Sequence, residues 1–272
     1  MSGVRIGFVG AGFMGQLAHL VNYTDMANCE VVALADRRPI LASRVAKRYG
    51  VPRTCASHEE LCSDASIDAI VQITSDDAHA PIAIDALNAG KHVYLEKPMA
   101  TNLPDARCMV EAAERNQRQL MIGYMKRYDS GFELAQSIIN GLISSGELGV
   151  VTHARGYCFG GDWISNIGPS EVTDEPYPEI ETRSPRWLKE DRIRAFYEFN
   201  NLYCHNINLV RYLLGDVHAL RFATLDGATK LLVLAMDGYD VILNLGRVSA
   251  NFWDEGFKVY FEDGWVKIHS PP

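Results

Sequence analysis

The string Gly10-Ala11-Gly12-Phe13-Met14-Gly15 limits what this chain can fold into more than any other feature. It follows an apolar, strand-like run from Val4 to Val9 and opens a helical pattern from Met14 to Tyr23. In that setting the first glycine permits a tight turn, the second lets a pyrophosphate approach the backbone, and the third lets helix and strand pack closely. Phosphates settle at the N-terminus of such a helix, so Gly10, Gly12, Phe13, Met14 and Gly15 are candidate dinucleotide contacts. Asp36 ends the next apolar run, 21 residues beyond Gly15, where a carboxylate can accept both ribose hydroxyls and repels a 2′-phosphate. That favours NAD over NADP. Arg37 and Arg38 follow at once; a guanidinium there could pair with a 2′-phosphate, which keeps NADP open, or be a solvated charge at a strand end. Arg37 is retained as a candidate cofactor contact.

The alternation continues to residue 124. Apolar runs at Val31 to Asp36, Ala69 to Thr74, Val93 to Glu96 and Leu120 to Tyr124 are separated by helical patterns at Ile40 to Tyr49, Ala80 to Ala89 and Asp105 to Asn116. Near-continuous apolar strands joined by crossover helices predict a doubly wound parallel sheet, a Rossmann domain over residues 1–124. Beyond it the pattern changes. A helix over Phe132 to Ile143 and a strand over Val150 to Tyr157 precede a polar stretch from Gly160 to Asp191, which includes Asp162 and Trp163 and has little periodicity. A helix from Asn201 to Leu214 and alternating strands at Leu220 to Leu225, Lys230 to Met236, Val241 to Arg247, Phe257 to Phe261 and Trp265 to His269 complete the pattern. The expected architecture is α/β, with a second α+β domain over residues 125–272 built on a mostly antiparallel, open-faced sheet.

Glu96-Lys97-Pro98 falls at the carboxyl end of a predicted parallel strand, the edge where α/β enzymes place ligands. Lys97 there reaches the nicotinamide end of a dinucleotide, or is an ordinary surface lysine. With the glycine string, Asp36, the stretch Thr74 to His79, and Ala89-Gly90-Lys91-His92-Val93 running into Glu96-Lys97-Pro98, the chain resembles the Gfo/Idh/MocA oxidoreductases. That resemblance is dense in the N-terminal half and thinner beyond. It implies an NAD(P)-dependent dehydrogenase of a sugar, sugar derivative or cyclitol. It also implies that Lys97 touches both substrate and nicotinamide ribose, and that Thr74, Glu96 and Pro98 border the cofactor. His79 is either near the cofactor or a helix-start histidine.

The family's second signature is an acid, a histidine four residues on and commonly an aspartate three further; the matching residues are Asn201, His205 and Asn208. Offsets of four and seven put them on one helical stripe. Both departures remove a carboxylate, and asparagine orients a hydroxyl but accepts no proton. The expected chemistry therefore narrows to His205 taking the hydroxyl proton while Lys97 hydrogen-bonds the reacting oxygen. Tyr124, Lys126 and Asn201 join Lys97 and His205 as candidate substrate contacts, although Tyr124, Lys126 and Arg127 could equally serve structural ion pairing. Two alternatives stay open: a non-catalytic dinucleotide sensor of the same family, and NAD-assisted glycoside cleavage.

Composition removes other classes. The 272 residues carry a formal net charge of −8 without a long Lys/Arg cluster, which disfavours nucleic acid. The six cysteines are scattered singly, with no spacing that closes a zinc site, and read as reduced thiols. No metal is expected, and no run is long enough for a membrane span. A cytoplasmic homo-oligomer, dimer or tetramer, is the expectation. Members of the resembled family usually continue past the point where this sequence ends, so the second domain is expected to be either compact or cut short.

Overall fold

The computed structural model describes residues 3–161, 168–249 and 253–270, so Asp162 and Trp163 lie outside the described residues. The chain divides into two compact units, residues 1–123 with 168–201, and residues 124–167 with 202–272.

In the first unit six strands form one sheet in the order β3-β2-β1-β4-β5-β6, every pairing parallel. They are β1 (Val4–Val9), β2 (Cys29–Ala35), β3 (Thr54–Cys55), β4 (Ala69–Gln72), β5 (His92–Glu96) and β6 (Leu120–Gly123). The strand order reverses between β1 and β4, which makes their carboxyl ends the place where a crevice opens. Period-two alternation sends Phe8 and Val9 to opposite faces. Phe8 packs with Leu20, Leu34, Leu41 and Val45, whereas Val9 packs with Leu61, Ile70, Leu87, Leu95 and Met109. Each set lies under its own helices. A π-helical turn (Gly15–Leu20) running into α1 (Val21–Tyr23) joins α2 (Pro39–Tyr49) on the first face; α3 (His58–Ser63), α4 (His79–Asn88) and α5 (Leu103–Asn116) cover the other.

Helix ends follow local chemistry. The α5 start is capped by Asn102, whose side chain accepts from Asp105 N at 2.9 Å, and α2 begins with Pro39 and stops at Gly50 in the left-handed region.

The second unit has a six-stranded sheet in the order β12-β11-β7-β10-β9-β8. Its strands are β7 (Val151–Gly160), β8 (Ala219–Thr224), β9 (Lys230–Ala235), β10 (Asp240–Arg247), β11 (Asp254–Phe261) and β12 (Trp265–Ser270). All pairs are antiparallel except β7 with β10. Helix α6 (Ser130–Ser145), capped by Asp129, buries Phe132, Ala135 and Ile139 and lies on β12. Edge strand β8 is exposed along its length, with Leu220 and Phe222 more than half accessible.

Three expectations are corrected. The short β3 and α3 were not anticipated, because two and six residues are too few to show a period. Helix α7 (Ile193–Leu214) starts two turns before Asn201, on a stretch whose charged residues hide the apolar stripe. Finally, residues 168–201, assigned by sequence to the second domain, group with the Rossmann unit. Hydrogen bonds invisible to periodicity hold them there: Arg48 Nη1 donates to Pro169 O (2.8 Å), Arg183 N to Asp77 Oδ1 (2.9 Å) and Tyr197 Oη to Asp77 Oδ1 (2.5 Å). Among the described residues no helix is long and apolar enough to cross a membrane.

Candidate active site

The glycine loop at the end of β1 is tight for two different reasons. Gly10 has φ +103°, and a Cβ on it would stand 1.9 Å from Ile73 O; a Cβ on Gly15 would stand 2.2 Å from Gly10 O. Those two glycines are demanded by the protein itself. Gly12 has nothing within 4 Å of its Cβ position, so no neighbouring protein atom requires glycine there. That open side is the cradle a pyrophosphate needs, and the residues present fit a dinucleotide. Phe13 and Met14 follow directly at the start of the helical segment, with Gln16 N donating to Gly12 O at 3.0 Å.

Asp36 lies just past β2 with its side chain only 6% exposed. One carboxylate oxygen accepts from Ala11 N (2.8 Å) and Arg38 Nη2 (3.1 Å), the other from Arg38 N (2.9 Å) and Arg38 Nε (3.0 Å). The acid thus ties the end of β2 to the glycine loop. Its hydrogen bond to Arg38 is also the main cause that holds that guanidinium above its ordinary pKa. Arg37 turns away and donates to Glu179 O at 2.8 Å.

At the end of β5, Glu96 is a bracket. Its Oε1 is 2.8 Å from His19 Nε2 and its Oε2 accepts from Lys97 N at 2.9 Å. Desolvation pushes the Glu96 carboxyl up, but these partners outweigh it and hold it below the usual range. The Lys97 Nζ donates to Asn201 O at 3.0 Å and lies 3.4 Å from Asn201 Oδ1. Asn201 also hydrogen-bonds Asp76, whose carboxyl is pushed up by burial against the pull of His79, Lys97 and Asn201. A carboxylate therefore does lie beside Lys97, contributed by the turn after β4. Thr74 Oγ1 accepts from Gln72 Nε2 at 3.0 Å. The Lys97-Pro98 peptide is cis.

His79, read as either near the cofactor or a helix-start histidine, is the first residue of α4. It is fully buried, with Nδ1 2.7 Å from Pro98 O and Nε2 3.3 Å from Thr74 O. Burial pulls its pKa down. It pins the two segments that carry Thr74 and Pro98 from behind.

In the second unit, His205 is 7% exposed on α7 and meets the Tyr124 ring edge to face at 6.2 Å. Lys126, read as either a substrate contact or a structural ion-pair residue, has its ammonium paired with Glu255, a carboxylate only 1% exposed on β11. The same carboxylate accepts from Asn206 Nδ2 (3.0 Å) and Trp253 Nε1 (2.9 Å). Arg127 Nε donates to Asn208 Oδ1 at 2.6 Å. Sequence reasoning missed Glu255 because it read this strand from Phe257, although alternation from Phe257 would have turned Glu255 inward. It also missed His19 and Asp76; the signal for Asp76 was its place in the Thr74 to His79 stretch.

A parallel sheet of this strand order, with a glycine cradle after β1 and an acid after β2, defines a dinucleotide-binding Rossmann unit. Residues 4–124 match the model of the Gfo/Idh/MocA oxidoreductase family with an NAD-binding Rossmann fold. Inositol 2-dehydrogenase of Salmonella typhimurium is 33% identical over 160 residues, 57% of this chain and 46% of that protein. Inositol 2-dehydrogenase 3 of Saccharopolyspora erythraea is 31% identical over 193 residues, 70% of this chain and 55% of that protein. The chain spans about half the length of these curated relatives. Among solved structures, myo-inositol dehydrogenase from Lactobacillus casei in complex with NAD(H) and myo-inositol shares the fold. It superposes with a TM-score of 0.76 at 20% identity, covering 99% of this chain and 75% of that one.

The glycine geometry separates fold from binding. Gly10→Ala should destabilise the protein by about 2 kcal/mol or more, since both φ and the Ile73 carbonyl oppose it. Gly12→Ala should change stability by less than about 0.5 kcal/mol yet weaken NADH binding at least tenfold, read by urea denaturation and fluorescence titration. In the second unit, Glu255→Ala should cost about 3–5 kcal/mol by stranding the Lys126 charge, and Lys126→Met added to it should recover part of that loss.

Proposed function

We propose that this chain is an NAD-dependent oxidoreductase that interconverts an alcohol and a ketone on a cyclitol, sugar or sugar derivative. The observation that carries this is Lys97, positioned at the carboxyl end of β5 by the Glu96 bracket and directed onto Asn201. The inositol dehydrogenases among the relatives supply the substrate class. When bound, the nicotinamide supplies a hydride acceptor or donor for one carbon of that substrate.

The chain's own residues do the rest. Asp36 receives the adenosine ribose diol when the Arg38 guanidinium gives up its contacts, and the open side of Gly12 receives the pyrophosphate. Lys97 exchanges its contact with Asn201 for the reacting oxygen and donates to it, which stabilises the alkoxide character that develops there. Asn201, bonded to Asp76, orients a neighbouring hydroxyl. His205 follows Asn201 by one turn on the same stripe of α7 and takes the hydroxyl proton in oxidation or returns it in reduction. Tyr124 holds the imidazole edge to face. Free cysteines suit a reducing compartment, hence the cytoplasm, and the exposed apolar residues of β8 suit a homo-oligomer.

A second reading, a dinucleotide sensor without turnover, draws on Asn208, which is spent on Arg127 where the family commonly has an aspartate. Reduction of NAD on addition of myo-inositol and a panel of sugars distinguishes the two. Lys97→Met should lower kcat/KM by about 10² or more while NADH affinity stays within a few-fold. His205→Gln should lower kcat/KM by about 10² or more, because a glutamine amide accepts no proton. A panel in which no polyol reduces NAD, with NADH still bound tightly, supports the sensor instead.

A further inference from the structure

The stretch from Gly168 to Arg183 belongs to the Rossmann unit, yet no step above uses it. It runs beside the glycine loop, where the Gln16 side chain exchanges two hydrogen bonds with the Glu171 backbone: Nε2 to O at 3.0 Å and N to Oε1 at 2.7 Å. A little further on, Glu175 places its carboxylate at the start of α2. Ile40 N donates to one oxygen at 2.9 Å and Leu41 N to the other at 2.8 Å, with Thr173 Oγ1 adding a third bond at 2.8 Å. The first N–H groups of a helix attract an anion. Arg38, at the N-cap position of α2, has no acceptor to offer them, so the chain brings a carboxylate from 135 residues downstream.

The place matters because of what stands next to it. Asp36 marks the adenosine ribose position of a Rossmann site, and α2 begins three residues later, within reach of a group on the ribose 2′ oxygen. A 2′-phosphate would need donors there, and the donors are taken. Arg38 is bound to Asp36 and lies over the Tyr177 ring at 4.7 Å; Arg37 is bound to Glu179 O; the two helix N–H groups are bound to Glu175. A ribose diol meets a different situation. It displaces only the Arg38 guanidinium, whose charge also lies in the field of Glu175. Partial desolvation pushes the Glu175 carboxyl up, but the Ile40, Thr173 and Leu41 bonds outweigh it and keep the group ionised at neutral pH.

We propose that Glu175 is a specificity-determining residue of the dinucleotide site: it fills the anion position at the start of α2 and, with Asp36, turns away the 2′-phosphate of NADP. This rests on the reading of the Rossmann unit as an NAD site and assigns part of its selectivity to a residue outside the βαβ fingerprint.

The test is titration of the full chain with NADH and with NADPH, followed by nicotinamide fluorescence without substrate, for wild type, Glu175→Gln and Glu175→Ala. Wild type should prefer NADH, and the ratio of NADPH to NADH affinity should rise about tenfold or more in both variants as a repulsive charge is lost and helix donors are freed. Thr173→Val, which loosens the carboxylate without removing it, should shift the ratio in the same direction by less. Wild type that binds neither nucleotide overturns the dinucleotide reading and this inference with it. Wild type that prefers NADH, with a ratio unmoved in both Glu175 variants, overturns the role of Glu175 alone. Loss of both nucleotides in both variants also overturns it, since Glu175 would then support the site rather than choose between ligands.

Discussion

The close passage of the chain at Gly10 governs the first unit, because the backbone there lies so near the end of β4 that a single added carbon would meet the Ile73 carbonyl at 1.9 Å. That approach lets β1 end and the next helix begin within a few residues, with Gly15 packed against Gly10 in turn. Asp36 then fastens β2 to the same loop through Ala11 N. The carboxyl ends of β1, β2 and β4 are thereby drawn together at the point where strand order reverses. Everything chemical in this unit, from the open side of Gly12 to the bracket at Glu96, is arranged along that edge.

Much of this was legible in the sequence, for identifiable reasons. Strands β1, β2 and β4 carry consecutive buried residues on both faces, so each reads as an apolar run, and the glycine string has one physical meaning between a strand and a helix. The order of the second sheet was not legible, although its strands were, because alternation reports which face is buried but not which neighbour pairs. Lys97 was placed correctly at a strand end; its link to Asn201 and the nearness of Asp76 depend on tertiary approach. Glu255 shows the limit differently. A carboxylate in an apolar strand reads as an interruption until its three partners, Lys126, Asn206 and Trp253, come together from separate elements.

The two units treat charge in different ways. Along the Rossmann edge, charges are paired yet partly open to solvent, as with Lys97 and Arg37, so partners can be exchanged at modest cost when a ligand arrives. In the second unit, Glu255 is closed off and its partners are committed, so the group gives a fixed geometry rather than an adjustable one. The neighbouring Asn206 belongs to that network and precedes Asn208, which is itself held by Arg127. His205 thus sits on a stretch of α7 whose polar neighbours have little freedom, a favourable support for a group that must point a nitrogen in one direction.

The central parallel pair of the second sheet sets an order of events during synthesis. Strand β7 pairs with β10 on one side and β11 on the other, so its partners leave the ribosome long after it does. All six Rossmann strands have emerged by Gly123, and non-local pairing of the later kind is the slower process. The first sheet can therefore close while β7 is still waiting as an unpaired strand. The segment carrying Glu175 emerges in between, to be laid onto an edge that already exists. Nascent chains arrested after β6 and after Arg183 would differ in the protection of the α2 amides, and β7 would be the strand most in need of a chaperone.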